Sequence, residues 1–224
     1  MSADAGRRDY EALARTVSRG FRCAVFVALP ATVGLFLVSR PLVAVILERG
    51  AFTAADTTKT AATLSFYLLG LTGYFAQQIL TRAFYSFQES GVPARSAVIA
   101  VAINIVLNLT LVWPLGTGGL ALATASCSYV QVAFLGSVLK RRFGNQIFAG
   151  LGKAIGLSLV ATGFMALAVG GVLHGLREVN QLVRLIGAVG AGAATYVVAA
   201  RVLRIEMLSL LLARKPEADP SDPS

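Results

Sequence analysis

The sequence predicts an all-α fold, a polytopic transmembrane helix bundle with six spans. Of its 224 residues 56% are apolar and its mean hydropathy is +0.71. The apolar residues gather into six long stretches, and Lys and Arg fall between them in strict alternation. A bilayer core of about 30 Å needs about 20 apolar residues per helix. That places the spans near Phe21 to Val38, Ala61 to Phe84, Ala97 to Trp113, Gly119 to Leu139, Ile155 to Leu173 and Leu185 to Leu203. The formal net charge is +9, from 20 Lys+Arg against 11 Asp+Glu. In a soluble chain such basicity would suggest nucleic acid, but a phosphate-binding face gathers its cations on one accessible surface. Here they are dispersed over turns separated by membrane-length segments, so no nucleic-acid partner is expected.

With the N-terminus in the cytoplasm, one side receives Arg7, Arg8, Arg15, Arg19, Arg22, Arg82, Arg95, Lys140, Arg141, Arg142, Lys153, Arg201, Arg204, Arg214 and Lys215. The other side receives Arg40, Arg49, Lys59, Arg177 and Arg184. This roughly threefold bias predicts that both termini lie inside. The basic start followed by the apolar run from Cys23 to Val38 mimics a secretory signal. The run is too long for one, and no small-residue cleavage pattern follows it.

Within the first twenty residues Tyr10, Leu13, Ala14, Val17 and Phe21 share a helical face flanked by arginines. That pattern fits a short helix on the anionic inner surface or a connector into the first span. Pro30 falls in mid-span and removes one backbone hydrogen bond, so neighbouring helices must cover a break there. Ser39-Arg40-Pro41 is expected to interrupt the run, leaving Leu42 to Leu47 as a short apolar turn at the outer interface. Thr53-Ala54-Ala55-Asp56 then has the form of a capping box, with Thr53 as N-cap of the second span.

The second span carries a polar stripe: Thr60, Thr63, Tyr67, Tyr74, Gln78, Arg82 and Tyr85 recur at spacings of three, four or seven. Unsatisfied polar groups in hydrocarbon cost several kcal/mol, so this face points to the bundle interior or a wetted cavity. It either lines a transport cavity or supplies interhelical hydrogen bonds. Arg82, near the inner end, also has the reach to snorkel to phosphates. In the third span Asn104 and Asn108 lie one turn apart on a shared face, as a pair that either joins helices or faces the cavity. Later helices are rich in small residues. Gly152 and Gly156 form a GxxxG match, and Gly187, Gly190, Ala191 and Ala194 form two small-xxx-small pairs of the kind that permit close helix approach.

Soluble chemistries fit poorly. Gly116-Thr117-Gly118-Gly119-Leu120-Ala121 formally matches a dinucleotide loop, but the acidic residue about 20 positions later is missing. No Asp or Glu occurs between Glu89 and Glu178, which argues against paired-carboxylate hydrolysis and carboxylate metal sites in the middle helices. His174 is the single histidine, so neither a His triad nor a multi-His zinc site can be assembled. Cys23 and Cys127 sit in apolar helices, where a thiol acts as a small hydrophobe and a disulfide is not expected. No cofactor or metal is expected.

The order of several segments resembles a known family. Glu48-Arg49-Gly50-Ala51-Phe52, Arg82-Ala83-Phe84-Tyr85-Ser86, Val92-Pro93-Ala94-Arg95, Asn104 with Leu107-Asn108, and Gly118-Gly119-Leu120-Ala121-Leu122-Ala123-Thr124 together resemble the MurJ/MviN lipid II flippases of bacterial peptidoglycan synthesis. Each motif alone is weak; their order and spacing are more specific, and the likeness runs from about Tyr10 to Arg204. It implies part of the fourteen-helix fold of the multidrug/oligosaccharidyl-lipid/polysaccharide exporter superfamily, of which this chain is similar to the last six helices. Residues 1–20 are then a cytoplasmic amphipathic or connector segment and 21–142 are four helices of the second lobe. Residues 143–204 are a pair lining a groove for a polyprenyl tail, and 205–224 form a disordered cytoplasmic tail.

The resemblance further implies the bacterial cytoplasmic (inner) membrane, a lipid-linked peptidoglycan precursor and membrane lipids as partners, and a missing N-terminal lobe of the same transporter. In the family much of the charged cavity comes from that lobe. The chain is therefore expected to be truncated, a piece of a longer frame or one half of a split protein, and inactive alone. Tyr74, Gln78, Arg82, Asn104 and Asn108 are the candidate substrate and cavity residues. Gln78 stands where the family often has a basic residue, Val92 replaces a Thr before Pro93, and Glu89 takes the place of an Asp. Two other readings stay open: a polysaccharide or drug exporter of the same superfamily, and a membrane scaffold that assists wall-synthesis enzymes without transport.

Overall fold

A computed structural model describes residues 2–144, 150–203 and 205, with side chains described from residue 15 onward except 143. The amphipathic face expected at Tyr10, Leu13 and Ala14 and the polar tail from residue 206 lie outside what is described. The described chain forms six helices: α1 (Ser2–Leu47), α2 (Ala54–Ser86), α3 (Gly91–Leu115), α4 (Thr117–Phe143), α5 (Leu151–Gly175) and α6 (Gln181–Val202). Five of them are long and apolar enough to cross a membrane. The exception, α2, has 33 residues and so spans about 50 Å. Its length suffices, but its polar stripe dilutes its hydropathy, and its flanks are shielded by α1 and α4.

α1 is one continuous helix of 46 residues, with Pro30 and Pro41 inside it. The expected interruption at Ser39-Arg40-Pro41 therefore does not occur, and Leu42 to Leu47 continue the helix instead of turning along the interface. Two local features help. Proline is pre-set for helical φ, and the Ser39 hydroxyl folds back to donate to the Phe36 carbonyl at 2.9 Å.

The break at Pro30 is covered from outside the helix. A proline at position 30 cannot bond the carbonyl of Phe26, one turn earlier, and the buried hydroxyl of Tyr196 on α6 donates to that carbonyl at 2.6 Å. The rings of Phe26 and Tyr196 also meet, with centroids 5.2 Å apart. Around this contact Phe26 and Val38 of α1 bury against Ala161, Met165 and Val169 of α5 and Leu185, Ala188 and Ala200 of α6. The opposite stretch of α1 serves a second core: Val17 and Phe21 pack with Leu80, Ala83 and Phe84 of α2 and Leu135 and Leu139 of α4. α1 is thus the common wall of two helix groups, α2 to α4 on one side and α5 with α6 on the other.

α2 and α4 approach so closely that side chains are excluded. A Cβ on Gly70 would lie 2.6 Å from the Ala125 Cα, and one on Gly73 would strike the Ser128 hydroxyl. Small-residue packing is therefore realised here and not at the GxxxG match, where Gly152 and Gly156 face open space. Gly187 makes ordinary contacts, while Gly192 takes the tight position on α6, against Val169. The glycine run that mimics a dinucleotide loop is the α3–α4 hairpin. Gly116 adopts φ 55° and ψ −132°, a backbone open to glycine alone. A Cβ on Gly118 would press the Phe66 ring, and one on Gly119 would collide with the Leu111 carbonyl.

The start of α2 follows its sequence signature. The Thr53 hydroxyl accepts from the Asp56 N–H, and the Asp56 carboxylate accepts from the Thr53 N–H at 3.0 Å. The Thr53 N–H, and then its hydroxyl, hold the Asp56 carboxyl below the usual carboxylate range.

Two outcomes follow. Tyr196→Phe, which keeps the ring and deletes the donor, should lower unfolding stability in detergent by about 1 kcal/mol, as expected for an orphaned buried carbonyl. An unchanged thermal midpoint would mean that the break at Pro30 is satisfied otherwise. Gly70→Val should overpack the α2–α4 contact and cost about 1–3 kcal/mol, whereas Gly156→Ala should be neutral or slightly stabilising. Equal effects at the two glycines would contradict the packing described.

Candidate functional site

α4 forms the floor of a groove whose walls are α2 and α3. Both walls pack on α4 and scarcely touch each other, so a cavity of about 680 Å³ remains between them. Its walls mix apolar and polar side chains. Tyr67, Tyr74 and Gln78 come from α2, Asn104 and Val101 from α3, and Thr124 and Gln131 from α4. Helical spacing on α2 puts Tyr67, Tyr74 and Gln78 in one row, which is why the stripe faces this gap. Tyr74 is 52% exposed, and its hydroxyl accepts from the Gln78 amide at 2.9 Å.

The five sequence-predicted residues separate. Tyr74, Gln78 and Asn104 line the groove together. Asn108 lies one turn along α3 and donates from Nδ2 to the Asn104 Oδ1 at 2.8 Å, while its own Oδ1 is buried without a donor. The pair thus bonds within α3 and joins no second helix through that contact. Arg82 stands outside the groove, exposed near the end of α2. Of the rest of the stripe, Thr63 meets Thr117 at the start of α4 at 2.9 Å, so that end of the row joins helices.

The polar contacts that hold the groove's shape escape the periodicity. Gln77 sits about 100° around α2 from Gln78 and donates to the Gln131 Oε1 on α4 at 3.1 Å. The Tyr129 hydroxyl donates to the Leu69 carbonyl at 2.6 Å, and the Ser128 hydroxyl reaches the Gly70 carbonyl at 3.3 Å. Toward α3, the Cys127 thiol of α4 donates to the Ala100 carbonyl at 3.4 Å. A Gln-Gln pair in one apolar run and a lone Gln131 in another were the available signal for the Gln77–Gln131 bridge. At one mouth of the bundle, Arg142 of α4 pairs with Glu89 in the α2–α3 turn. That turn is tightened by Gln88, at φ 59° in the left-handed region.

The arrangement offers hydroxyls, amides and the Cys127 thiol around an open, partly apolar gap. Such a wall can bind a polar, uncharged or weakly charged group by hydrogen bonds.

The family model for lipid II flippase MurJ matches residues 1–187. The chain is 34% identical over 125 residues to a probable lipid II flippase MurJ of Vibrio cholerae, covering 56% of this chain and 24% of that one. It is 30% identical over 190 residues to the Thermotoga maritima relative, with 85% and 38% covered. For the Synechocystis relative the identity is 28% over 217 residues, with 95% and 39% covered. The chain therefore spans about a quarter to two fifths of the length of these curated relatives. Its fold matches a solved lipid II flippase MurJ in an inward closed conformation with a TM-score of 0.72 at 24% identity, over 90% of this chain and 41% of that one.

The geometry makes the Gln77–Gln131 bridge a measurable α2–α4 tie. A double-mutant cycle with Gln77→Leu and Gln131→Leu should give a coupling of about 0.6 kcal/mol, the usual size for interhelical bonds in membranes. Additive losses would show that the two amides do not act on each other.

Proposed function

The chain belongs to the lipid II flippase MurJ family, and from that premise we propose that it is the C-terminal portion of a flippase for an undecaprenyl-linked peptidoglycan precursor. It sits in the bacterial cytoplasmic membrane with both termini inside, an orientation supported by the threefold excess of Lys and Arg on one side. Residues 21–142 supply a wall of the second lobe, and α5 with α6 line the path of the lipid tail. The transport step is alternating access, in which two lobes rock about a midplane cavity and expose the head group first inside and then outside. No covalent bond changes, and a transmembrane ion gradient or potential supplies the drive.

One observation carries this reading: the polar row of α2 opens into a groove between helices that do not close on each other. In a bilayer such a face is costly unless it meets water, substrate or another protein segment. Tyr74, Gln78 and Asn104 are assigned to head-group contact, and the buried Asn108 acceptor to a donor beyond the described residues. Arg82 is assigned to lipid phosphates at the inner interface, where exposure and the helix end suit it. The chain spans 24% to 39% of the length of these relatives, and we infer that transport needs the remainder of that length as well as this segment.

Cells depleted of their essential flippase provide the test. A protein that joins this segment to a complete N-terminal lobe should restore growth. The segment alone should not, although it reaches the membrane. Gln78→Leu or Asn104→Leu in the joined protein should cut flipping about tenfold, the loss expected from one or two head-group hydrogen bonds. Rescue by the segment alone, or full flipping by both variants at normal surface level, would overturn the assignment.

A further inference from the structure

A second polar cleft, of about 320 Å³, opens at the end of the bundle that carries the α1–α2 and α5–α6 turns. It is lined by Arg40, Pro41 and Glu48 of the α1 end, Thr57 of α2, and Gln181 and Arg184 of α6. Two guanidiniums thus share a small cleft with one carboxylate. That carboxylate is already engaged: Glu48 Oε2 accepts from the Thr57 hydroxyl at 2.8 Å. Among the described residues neither arginine has a carboxylate within ion-pairing distance. The Arg184 Nε is buried with no hydrogen-bond partner. A buried cationic donor left unpaired is costly, so the site is built for an acceptor that the described chain does not supply.

Directly beneath lies an apolar groove of about 260 Å³ between α1, α5 and α6, which includes Gly34, Val38, Met165, Ala188 and Ala193. The two hollows share α1 and α6 and lie about one turn apart along them, since Arg184 stands four residues before Ala188 and Pro41 three after Val38. Cationic donors above an apolar slot form the outline of an amphiphile with an anionic head. Guanidinium forks match phosphate oxygens, often two at a time.

We propose that this is a binding site for an anionic glycerophospholipid of the surrounding bilayer. Its phosphate is held by Arg40 and Arg184 and one acyl chain lies along the α1–α5–α6 groove. The site is separate from the α2–α3–α4 groove, and its apolar slot lies where α1 borders the α5–α6 pair assigned above to the lipid tail. By bridging α1 to α6 at their ends, the lipid ties the C-terminal pair to the rest of the bundle.

Native mass spectrometry of the detergent-solubilised chain, titrated with phosphatidylglycerol, phosphatidylcholine of the same acyl chains, or inorganic phosphate, tests the proposal. One phosphatidylglycerol should remain bound, and phosphatidylcholine should bind more weakly. Arg40→Gln combined with Arg184→Gln should lower occupancy about tenfold. Arg40→Gln alone, at an exposed position, should lower it in part. Arg49→Gln, on a neighbouring exposed arginine whose guanidinium bonds the Val45 carbonyl, should leave occupancy unchanged. Ala193→Phe, which fills the slot at an exposed position, should also reduce lipid binding. Unchanged occupancy in the double variant, equal binding of phosphatidylcholine, or displacement of the lipid by equimolar inorganic phosphate would each overturn it.

Discussion

The carbonyl of Phe26 has lost its helical donor to Pro30, and in a hydrocarbon setting a backbone acceptor without a donor is costly. Tyr196 answers it from α6, 170 residues away in sequence, through a buried hydroxyl that donates at 2.6 Å. That single contact fixes the rotation and depth of α6 against α1, and with them the cluster that gathers α5. Because the opposite stretch of α1 packs on α2 and α4, one proline-bearing helix transmits the position of the C-terminal pair to the polar half of the bundle.

In the polar half the controlling quantity is the distance between two helices. Gly70 and Gly73 let α2 settle against Ala125 and Ser128 of α4 with no side chain between them. Once the backbones are that near, the Tyr129 hydroxyl reaches the Leu69 carbonyl and Gln77 reaches Gln131. α3 joins this pair almost entirely through α4. The gap between α2 and α3 is therefore the consequence of tight packing elsewhere, and the polar row of α2 faces into it. Much of α3 stays uncovered, with Val98 70% and Trp113 87% exposed. Such a surface suits contact with lipid.

Charge is confined to the ends of the bundle and does different work at each. At the α2–α3 turn, Glu89 and Arg142 satisfy one another and lock the turn to α4. At the other end Arg40 and Arg184 have no such partner among the described residues, and Glu48 is turned toward Thr57. One end is closed by the chain itself, and the other awaits an anion.

Periodicity and capping chemistry were legible without coordinates, since both depend on neighbours within a turn or two. The six helices, the Thr53–Asp56 cap, the break at Pro30 and the row of Tyr67, Tyr74 and Gln78 all read directly from local spacing. Ser39-Arg40-Pro41 misled because charge and proline usually end a span, whereas here α1 runs on past the apolar segment. The GxxxG match at Gly152 misled because small residues permit close approach without choosing a partner. Tertiary structure alone decided which glycines are crowded, that Asn108 bonds Asn104 and not another helix, that Arg82 stands outside the groove, and that Tyr196 serves Phe26. Each of these depends on the rotation and separation of helices remote in sequence, quantities that a one-dimensional pattern does not contain.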